Sequence, residues 1–438
     1  MGIIDFLIRN SLLKSIIFLI VTTLVFGLIN LDYNQLVNPF VFTSVKSLIY
    51  SNSLSNNFNV FFNSFVESNL FLYSLFLVFG LIYINIYTLI KVISYHKEIN
   101  MPYALNLFNP IRKYEWQDKQ IRTSHDKFFK HSFNTIYYKN SISIDIEKYE
   151  NSKNAIIQYL DLSENYEVDI KPYGNKSIQI QFFQLPIFYK FEEIDYKKGY
   201  INIGRSQNGI YYIDLLKITH LLVCGESGSG KSNLMHHLLK SIFINIDFVN
   251  SIEMIDLKGT ELYRYTKHPK VNFIDSIEEI KERLHNIKIE MINRFVVMKK
   301  NCDQIYDGQY IFLIVDEIAT IGTHPNKKLR DEIFALLIEI FQKGRAAKII
   351  GHLYAQKITT DSIASGVVAN CQSKILMKTD SDFNINNTIG IKESIEKITR
   401  IDPDSFPRGR MIYKDGITSD KVLIQAPIIN FKSKEESM

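Results

Sequence analysis

The stretch that decides the fold reads His220-Leu221-Leu222-Val223-Cys224-Gly225-Glu226-Ser227-Gly228-Ser229-Gly230-Lys231-Ser232, then Asn233-Leu234-Met235-His236-His237-Leu238-Leu239. A short apolar run, a GxxxxGK[ST] loop and a helical pattern follow one another, which is the order strand, phosphate loop, helix. The glycines let the backbone curl into a nest whose N–H groups point at phosphate oxygens, and the helix behind it adds its positive N-terminal end. Lys231 is placed to reach β and γ phosphates, and Ser232 to offer its hydroxyl to the Mg²⁺ that bridges them. With glycine at its ordinary usage of about 7%, a chance match in a chain this long has a probability of roughly one in a hundred. The flanking strand and helix lower that further.

Such a loop needs a second strand that ends in a carboxylate. Tyr310-Ile311-Phe312-Leu313-Ile314-Val315-Asp316-Glu317 supplies it as a continuous apolar run, suited to a strand buried on both faces. Asp316 would hold the Mg²⁺ shell, and Glu317 would polarise a water for in-line attack on the γ-phosphate of ATP. Further strands are expected at Ser251–Asp256, Ile349–Tyr354 and Ser373–Met377, and Ile277, Ile280, Leu284, Ile287, Met291, Phe295 and Met298 recur at helical spacing between them. Alternating strands and helices predict an α/β fold with a mostly parallel sheet, helices on both faces and the nucleotide at the carboxyl ends of the strands. His236 and His237 are neighbours on the helix after the loop and do not share a face, so they read as packing or exposed residues rather than metal ligands.

Outward from this core, the chain has 438 residues, room for two or three folded units. Its 46% hydrophobic and 22% charged residues exclude disorder and low complexity. Lys and Arg exceed Asp and Glu by 51 − 46 = 5, an excess that permits nucleic acid without arguing for it. Cys224, Cys302 and Cys371 lie far apart with no CxxC pair, so neither a disulfide framework nor a zinc site is encoded.

The apolar residues are concentrated at the N-terminus. Ser15 to Leu31 and Ser68 to Ile90 carry no charged side chain and are long enough to span a hydrocarbon core of about 30 Å. A cleaved signal peptide is a poor alternative for the first run, because no Ala occurs before Ala104 and the second run would anchor the product anyway. Arg9 and Lys14 before the first run, and Lys91, Lys97, Arg112 and Lys113 after the second, face only Lys46 between them. Both termini are thus expected on the cytoplasmic side of a cell membrane that the chain crosses twice. The resulting division is a two-span anchor over residues 1–94, a juxtamembrane linker over 95–140, a small α+β module over 141–200 and the nucleotide-binding domain over 201–438. In the module, Ile144 to Leu162 reads as helical, and Tyr166–Ile170 and Ser177–Phe183 as strands around a Pro-Tyr-Gly-Asn turn.

Four segments, in order, resemble the FtsK/SpoIIIE DNA-translocating ATPases over roughly residues 200 to 430. DLLKITHLLVCGESGSGKSNLMHHLLKSI resembles the family's approach to its phosphate loop, and MIDLKGTELYRY (254–265) its aspartate-proline-lysine segment, with Leu257 where proline is usual. LIVDEIATI is similar to the second nucleotide motif. FQKGRAAKIIGHLYAQK resembles the arginine segment and sensor strand, with Lys357 for the usual arginine and Ala355 for the usual threonine. The resemblance implies a RecA-like motor that assembles as a ring, usually a hexamer, around DNA. It makes Asp256 and Lys258 structural or coupling residues, Gln356 the γ-phosphate sensor and Arg345 a candidate finger for the next subunit's ATP. Read from the residues alone, Arg345 follows a helix and equally suits a basic cap. Arg294, Arg330 and Arg400 are the next candidates.

Cell-division members of the family carry four spans, a long linker and a C-terminal winged-helix reader. With two apolar runs and a short tail beyond Ile401, the chain looks more like the compact TcpA-like coupling ATPases, which feed DNA to the channel proteins of a conjugative transfer apparatus. The alternative is an ATPase for protein export of the type VII kind, whose relatives usually carry several ATPase units. Lys327, Lys328 and Arg330 are either contacts to DNA phosphates or a solvated loop.

Overall fold

In the computed structural model the described residues are 145–173, 177–190, 195–359, 361–391 and 395–429, the strands at 122–125 and 133–139, and pieces of the preceding chain at 15, 18–19, 76–87, 89–90, 97, 101–102 and 104–107. Two sheets organise them. The smaller has four antiparallel strands, β1 (Arg122–His125), β2 (Phe133–Lys139), β3 (Glu167–Pro172) and β4 (Ser177–Phe183), in the order β1-β2-β4-β3. The larger has ten: β5 (Tyr200–Ser206), β6 (Gly209–Asp214), β7 (Leu221–Cys224), β8 (Val249–Ile255), β9 (Val271–Ile274), β10 (Tyr310–Val315), β11 (Ile349–Ala355), β12 (Ser373–Leu376), β13 (Arg410–Lys414) and β14 (Lys421–Gln425). Their order is β6-β5-β14-β13-β12-β7-β11-β10-β8-β9. From β12 to β9 every neighbouring pair is parallel, and from β12 outward to β6 every pair is antiparallel.

The parallel part is a two-sided core because its central strands β7 and β10 are apolar and buried at every position. Leu222, Cys224, Leu313, Val315 and Leu353 face one layer, in which α4 (Ile277–Asn301) and α6 (Lys327–Lys343) pack with Ile280, Leu284, Leu337 and Ile340. Leu221, Val223, Phe312, Ile314 and Tyr354 face the other, where α3 (Lys231–Ile244) brings Leu234, Met235 and Leu238. Alternation along one strand thus feeds both layers, as a pleated strand requires. Caps define where the helices begin: Ser276 Oγ accepts from Glu279 N–H at the start of α4, and Asn326 Oδ1 from Leu329 N–H at the start of α6.

The small sheet corrects the division drawn from sequence. Residues 95–140 were expected to be linker, yet β1 and β2 lie within them, and Met101, Leu107, Ile136 and Tyr138 are buried in the core that the sheet forms with α1 (Ile146–Glu150) and α2 (Lys153–Tyr159). In β2 only Ile136 and Tyr138 mark the inward face with clearly apolar bulk, and the surrounding Lys, Asn and Tyr hid the alternation. The single helix expected over 144–162 is broken at Asn151–Ser152.

Residues 395–400 dock the small sheet against the large one. The buried Glu167 carboxylate accepts from Thr399 Oγ1 at 2.8 Å and from Arg400 N–H at 3.1 Å, and Arg400 Nε donates to the Tyr166 carbonyl at 2.5 Å. Lys153 Nζ donates to the Glu396 and Lys397 carbonyls at 3.2 and 2.5 Å. Burial pushes the Glu167 carboxyl up and the Lys153 ammonium down from their ordinary pKa ranges.

The first long apolar run and the start of the second, 68–75, lie largely outside the described residues. Within the second, 76–87 is helical, with Phe76, Phe79 and Tyr83 exposed. Among the described residues no helix is long and apolar enough to cross a membrane.

Candidate functional site

Parallel strands β7, β10, β11 and β12 end together, and the loop Gly225–Ser232 lies over those ends. Gly225 N–H donates to the Ala355 carbonyl at 3.2 Å and Glu226 N–H to the Lys378 carbonyl at 2.9 Å, so the loop is stitched to two neighbouring strand ends. Gly228 and Gly230 have φ of +80° and +104°, the left-handed values that a phosphate nest requires and that a side chain would strain. At Gly230 a Cβ would also lie 3.0 Å from the Gly409 nitrogen, and Gly409 N–H donates to the Ser229 carbonyl at 2.8 Å. The 407–410 turn therefore backs the loop, a contact across almost two hundred residues that no local pattern discloses.

Lys231 is the first residue of α3, where it sets a cation at the positive end of the helix dipole. Its Nζ folds back on the Gly225 and Glu226 carbonyls at 2.5 and 3.0 Å, and burial draws its pKa down. A lysine placed against the dipole and among backbone N–H groups suits a polyanion, and the loop fits the triphosphate that the sequence implies. Ser232, next on the helix, is partly exposed.

Across from the loop, Asp316 and Glu317 leave the end of β10. Burial, then the neighbouring carboxylates Asp256 and Glu261, push the Asp316 carboxyl up to about 6. Burial raises Glu317 as well, opposed by the N–H of Gln356 and by Lys231. Oε1 of Glu317 accepts from Gln356 N–H at 3.2 Å, which brings the expected water-polarising carboxylate and the expected sensor into contact. The acids that crowd Asp316 are hard oxygen donors that suit Mg²⁺, which Ser232 and Asp316 would hold beside the nucleotide.

Asp256 is buried and its two oxygens accept four backbone N–H groups, from Lys258, Gly259, Glu261 and Leu262, at 2.9–3.1 Å. It shapes the turn that presents Glu261, and Glu261 in turn meets His236 Nε2 at 3.2 Å. His236 and His237 are both buried, each against a tyrosine, Tyr265 and Tyr196 respectively.

Arg345 is exposed and lies four residues before β11, whereas Gln356 follows that strand's last residue. A seven-residue strand is about 23 Å long, so Arg345, before β11, lies at the amino ends of the central strands, opposite the carboxyl ends that carry its own phosphate loop. The fallback arginines are occupied: Arg294 is buried and donates to the Gln309 and Ala347 carbonyls, Arg330 to the Gly322 carbonyl and Arg400 to that of Tyr166.

A phosphate loop, an Asp-Glu strand end and a mostly parallel sheet covered on both faces define a P-loop ATPase domain. Residues 191–305 match the FtsK/SpoIIIE family model, and the chain carries a P-loop ATPase domain of that family. The DNA translocase FtsK of Leptospira interrogans is 28% identical over 262 residues, 54% of this chain and 26% of that protein. That of Streptococcus pneumoniae is 28% identical over 254 residues, 52% of this chain and 31% of that protein. The chain thus spans about a quarter to a third of the length of these relatives. Among solved structures, the monomer form of the pCW3 conjugation coupling protein TcpA with ATPγS shares the fold, with a TM-score of 0.50 and 18% identity over 71% of this chain and 90% of that one. EssC (ATPases 2 and 3) from Geobacillus thermodenitrificans gives a TM-score of 0.47 and 17% identity, covering 57% of this chain and 49% of that one.

Proposed function

We propose that this chain hydrolyses ATP to translocate DNA, as a membrane-anchored, head-to-tail ring of six copies that couples DNA to a conjugative transfer channel. The observation that carries the reading is the gathering of Gly225–Ser232, Asp316, Glu317 and Gln356 at the carboxyl ends of the central strands, with Arg345 at the amino end of β11. A guanidinium about 23 Å from its own loop assists hydrolysis only when a second copy brings it to that copy's neighbour, and such head-to-tail contacts close into rings. Loop N–H groups and Lys231 bind the β and γ phosphates, Glu317 accepts the proton of the attacking water, and Gln356 orients the γ-phosphate. Ser232 and Asp316 would hold Mg²⁺, which would offset the negative charge of the phosphates. The DNA track is supported by the two relatives, both named DNA translocases, and the membrane anchor by the uncharged runs at 15–31 and 68–90.

The test is the ATPase rate of the full chain in detergent with duplex DNA, single-stranded DNA or a secretion-signal peptide. DNA should raise the rate at about 50 mM salt and lose most of that effect by about 200 mM, because binding a polyanion releases counterions. A rate indifferent to DNA and raised by the peptide would replace this reading with protein export.

A further inference from the structure

The loop residue Glu226 has no place in phosphate chemistry, yet its carboxylate is held. Oε1 accepts from Thr379 Oγ1 at 2.8 Å and from Asp380 N–H at 2.7 Å, both just beyond β12. Thr379 is buried, and its hydroxyl oxygen also accepts from Asn384 Nδ2 at 3.0 Å. Asn384 lies in α8 (Asp382–Thr388), is 1% exposed, and uses its whole amide: Nδ2 also donates to the Gln356 carbonyl at 3.2 Å, and Oδ1 accepts from Ile358 N–H at 2.9 Å. An acceptor facing an N–H and a donor facing a carbonyl allow one orientation of the amide. Gln356 then passes the constraint on, since its own N–H holds Glu317.

We propose that Asn384 is a positioning residue for ATP hydrolysis, holding Gln356 and Glu317 in register with the phosphate loop through Thr379 and Glu226. The inference rests on the hydrolytic reading of the site above. Asn384 touches neither the loop nor the expected nucleotide, and its contribution passes through main-chain and hydroxyl groups that tie three strand ends together. A hydrogen-bonded network anchored on the buried Asn384 and Thr379 fixes where these strand ends sit, and precise placement is what an attacking water demands.

Asn384→Asp keeps the side-chain shape and the acceptor for Ile358 but loses both donated bonds. In the full chain it should lower kcat at least tenfold while the dissociation constant for a fluorescent ATP analogue stays within about threefold of wild type, a split that marks lost geometry rather than lost binding. Glu226→Ala, at a partly exposed position that does not threaten folding, removes the acceptor for Thr379 and Asp380 and should lower kcat in the same sense. The double variant should be no slower than the slower single variant, since both cut one chain of contacts. Wild-type kcat in Asn384→Asp overturns the proposal, as does an equal loss of binding and turnover, or losses that multiply in the double variant. A wild-type chain that binds ATP without hydrolysing it overturns the hydrolytic reading instead, a result the variants do not mimic.

Discussion

The main-chain N–H of Gln356 donates to Oε1 of Glu317 at 3.2 Å, joining the residue after one parallel strand to the carboxylate after its neighbour. The bond comes from sheet register: Val315 pairs with Leu353, so continuing that register puts Glu317 level with Ala355, next to the Gln356 N–H. It orients the carboxylate at the end of the strand.

Glu317→Gln keeps that hydrogen bond and removes the proton acceptor. Turnover should fall about 10²–10³-fold with ATP binding retained, measured as phosphate release against equilibrium binding. Lys231→Ala should weaken both, because its ammonium meets the ground-state phosphates as well as the transition state. Wild-type turnover in Glu317→Gln would move the catalytic role to Gln356.

Asp316 is a strained carboxylate at neutral pH. Its folded-state value of about 6 lies above the ordinary value of 3.8, so the stability that its protonated form contributes is present below about pH 4 and lost as pH rises through 6. Asp316→Asn should therefore raise the melting temperature at pH 7.5 by about 2–4 °C, roughly 1 kcal/mol, and leave it nearly unchanged at pH 4. The same variant should lose Mg²⁺-dependent hydrolysis. A lower melting point at pH 7.5 would contradict burial as the source of the shift.

Three buried histidines work in the opposite direction. Burial draws His220 and His237 down to about 3 and His352 to about 4, so each is neutral when folded and takes up a proton on unfolding below about pH 6.5. Their contribution to stability is full above pH 6.5 and is lost as pH falls toward 3–4. His352→Phe should flatten the acid side of a melting-temperature profile by about one proton, read as the slope between pH 6 and 4.5 in the apo protein.

Arg345→Ala should abolish turnover and spare ATP binding, because the residue is absent from its own chain's site. Mixed with Lys231→Ala subunits it should recover part of the activity, since some interfaces then pair an intact loop with an intact arginine. Normal hydrolysis by Arg345→Ala in a DNA-bound oligomer would reduce the residue to a helix cap.

Gly351 tests the packing under the site. A Cβ there would lie 2.1 Å from the Phe341 ring, which stacks on His220 at 4.3 Å, and Gly351 N–H donates to His220 Nδ1 at 3.0 Å. Gly351→Ala should cost about 1–3 kcal/mol by chemical denaturation, and Phe341→Leu in the same chain should recover part of it.

The sequence alone disclosed five of the six parallel strands, all but the short β9, and the candidate groups of the site, because both are local. A buried strand shows itself as an unbroken apolar run, as at Tyr310–Val315, and a phosphate nest requires glycines at set intervals within eight residues. Tertiary structure decided which groups meet. The capture of Glu226 by Thr379 and Asp380, the backing of Gly230 by Gly409 and the bond from Gln356 to Glu317 join positions 39 to 179 residues apart in the chain, and no spacing rule connects them. The antiparallel strands β13, β14, β5 and β6, which extend the sheet, and β2, in which polar neighbours mask the inward Ile136 and Tyr138, were likewise hidden. Their pairing is a property of register between distant segments, whereas hydrophobic periodicity reports only how one segment divides its own side chains between core and water.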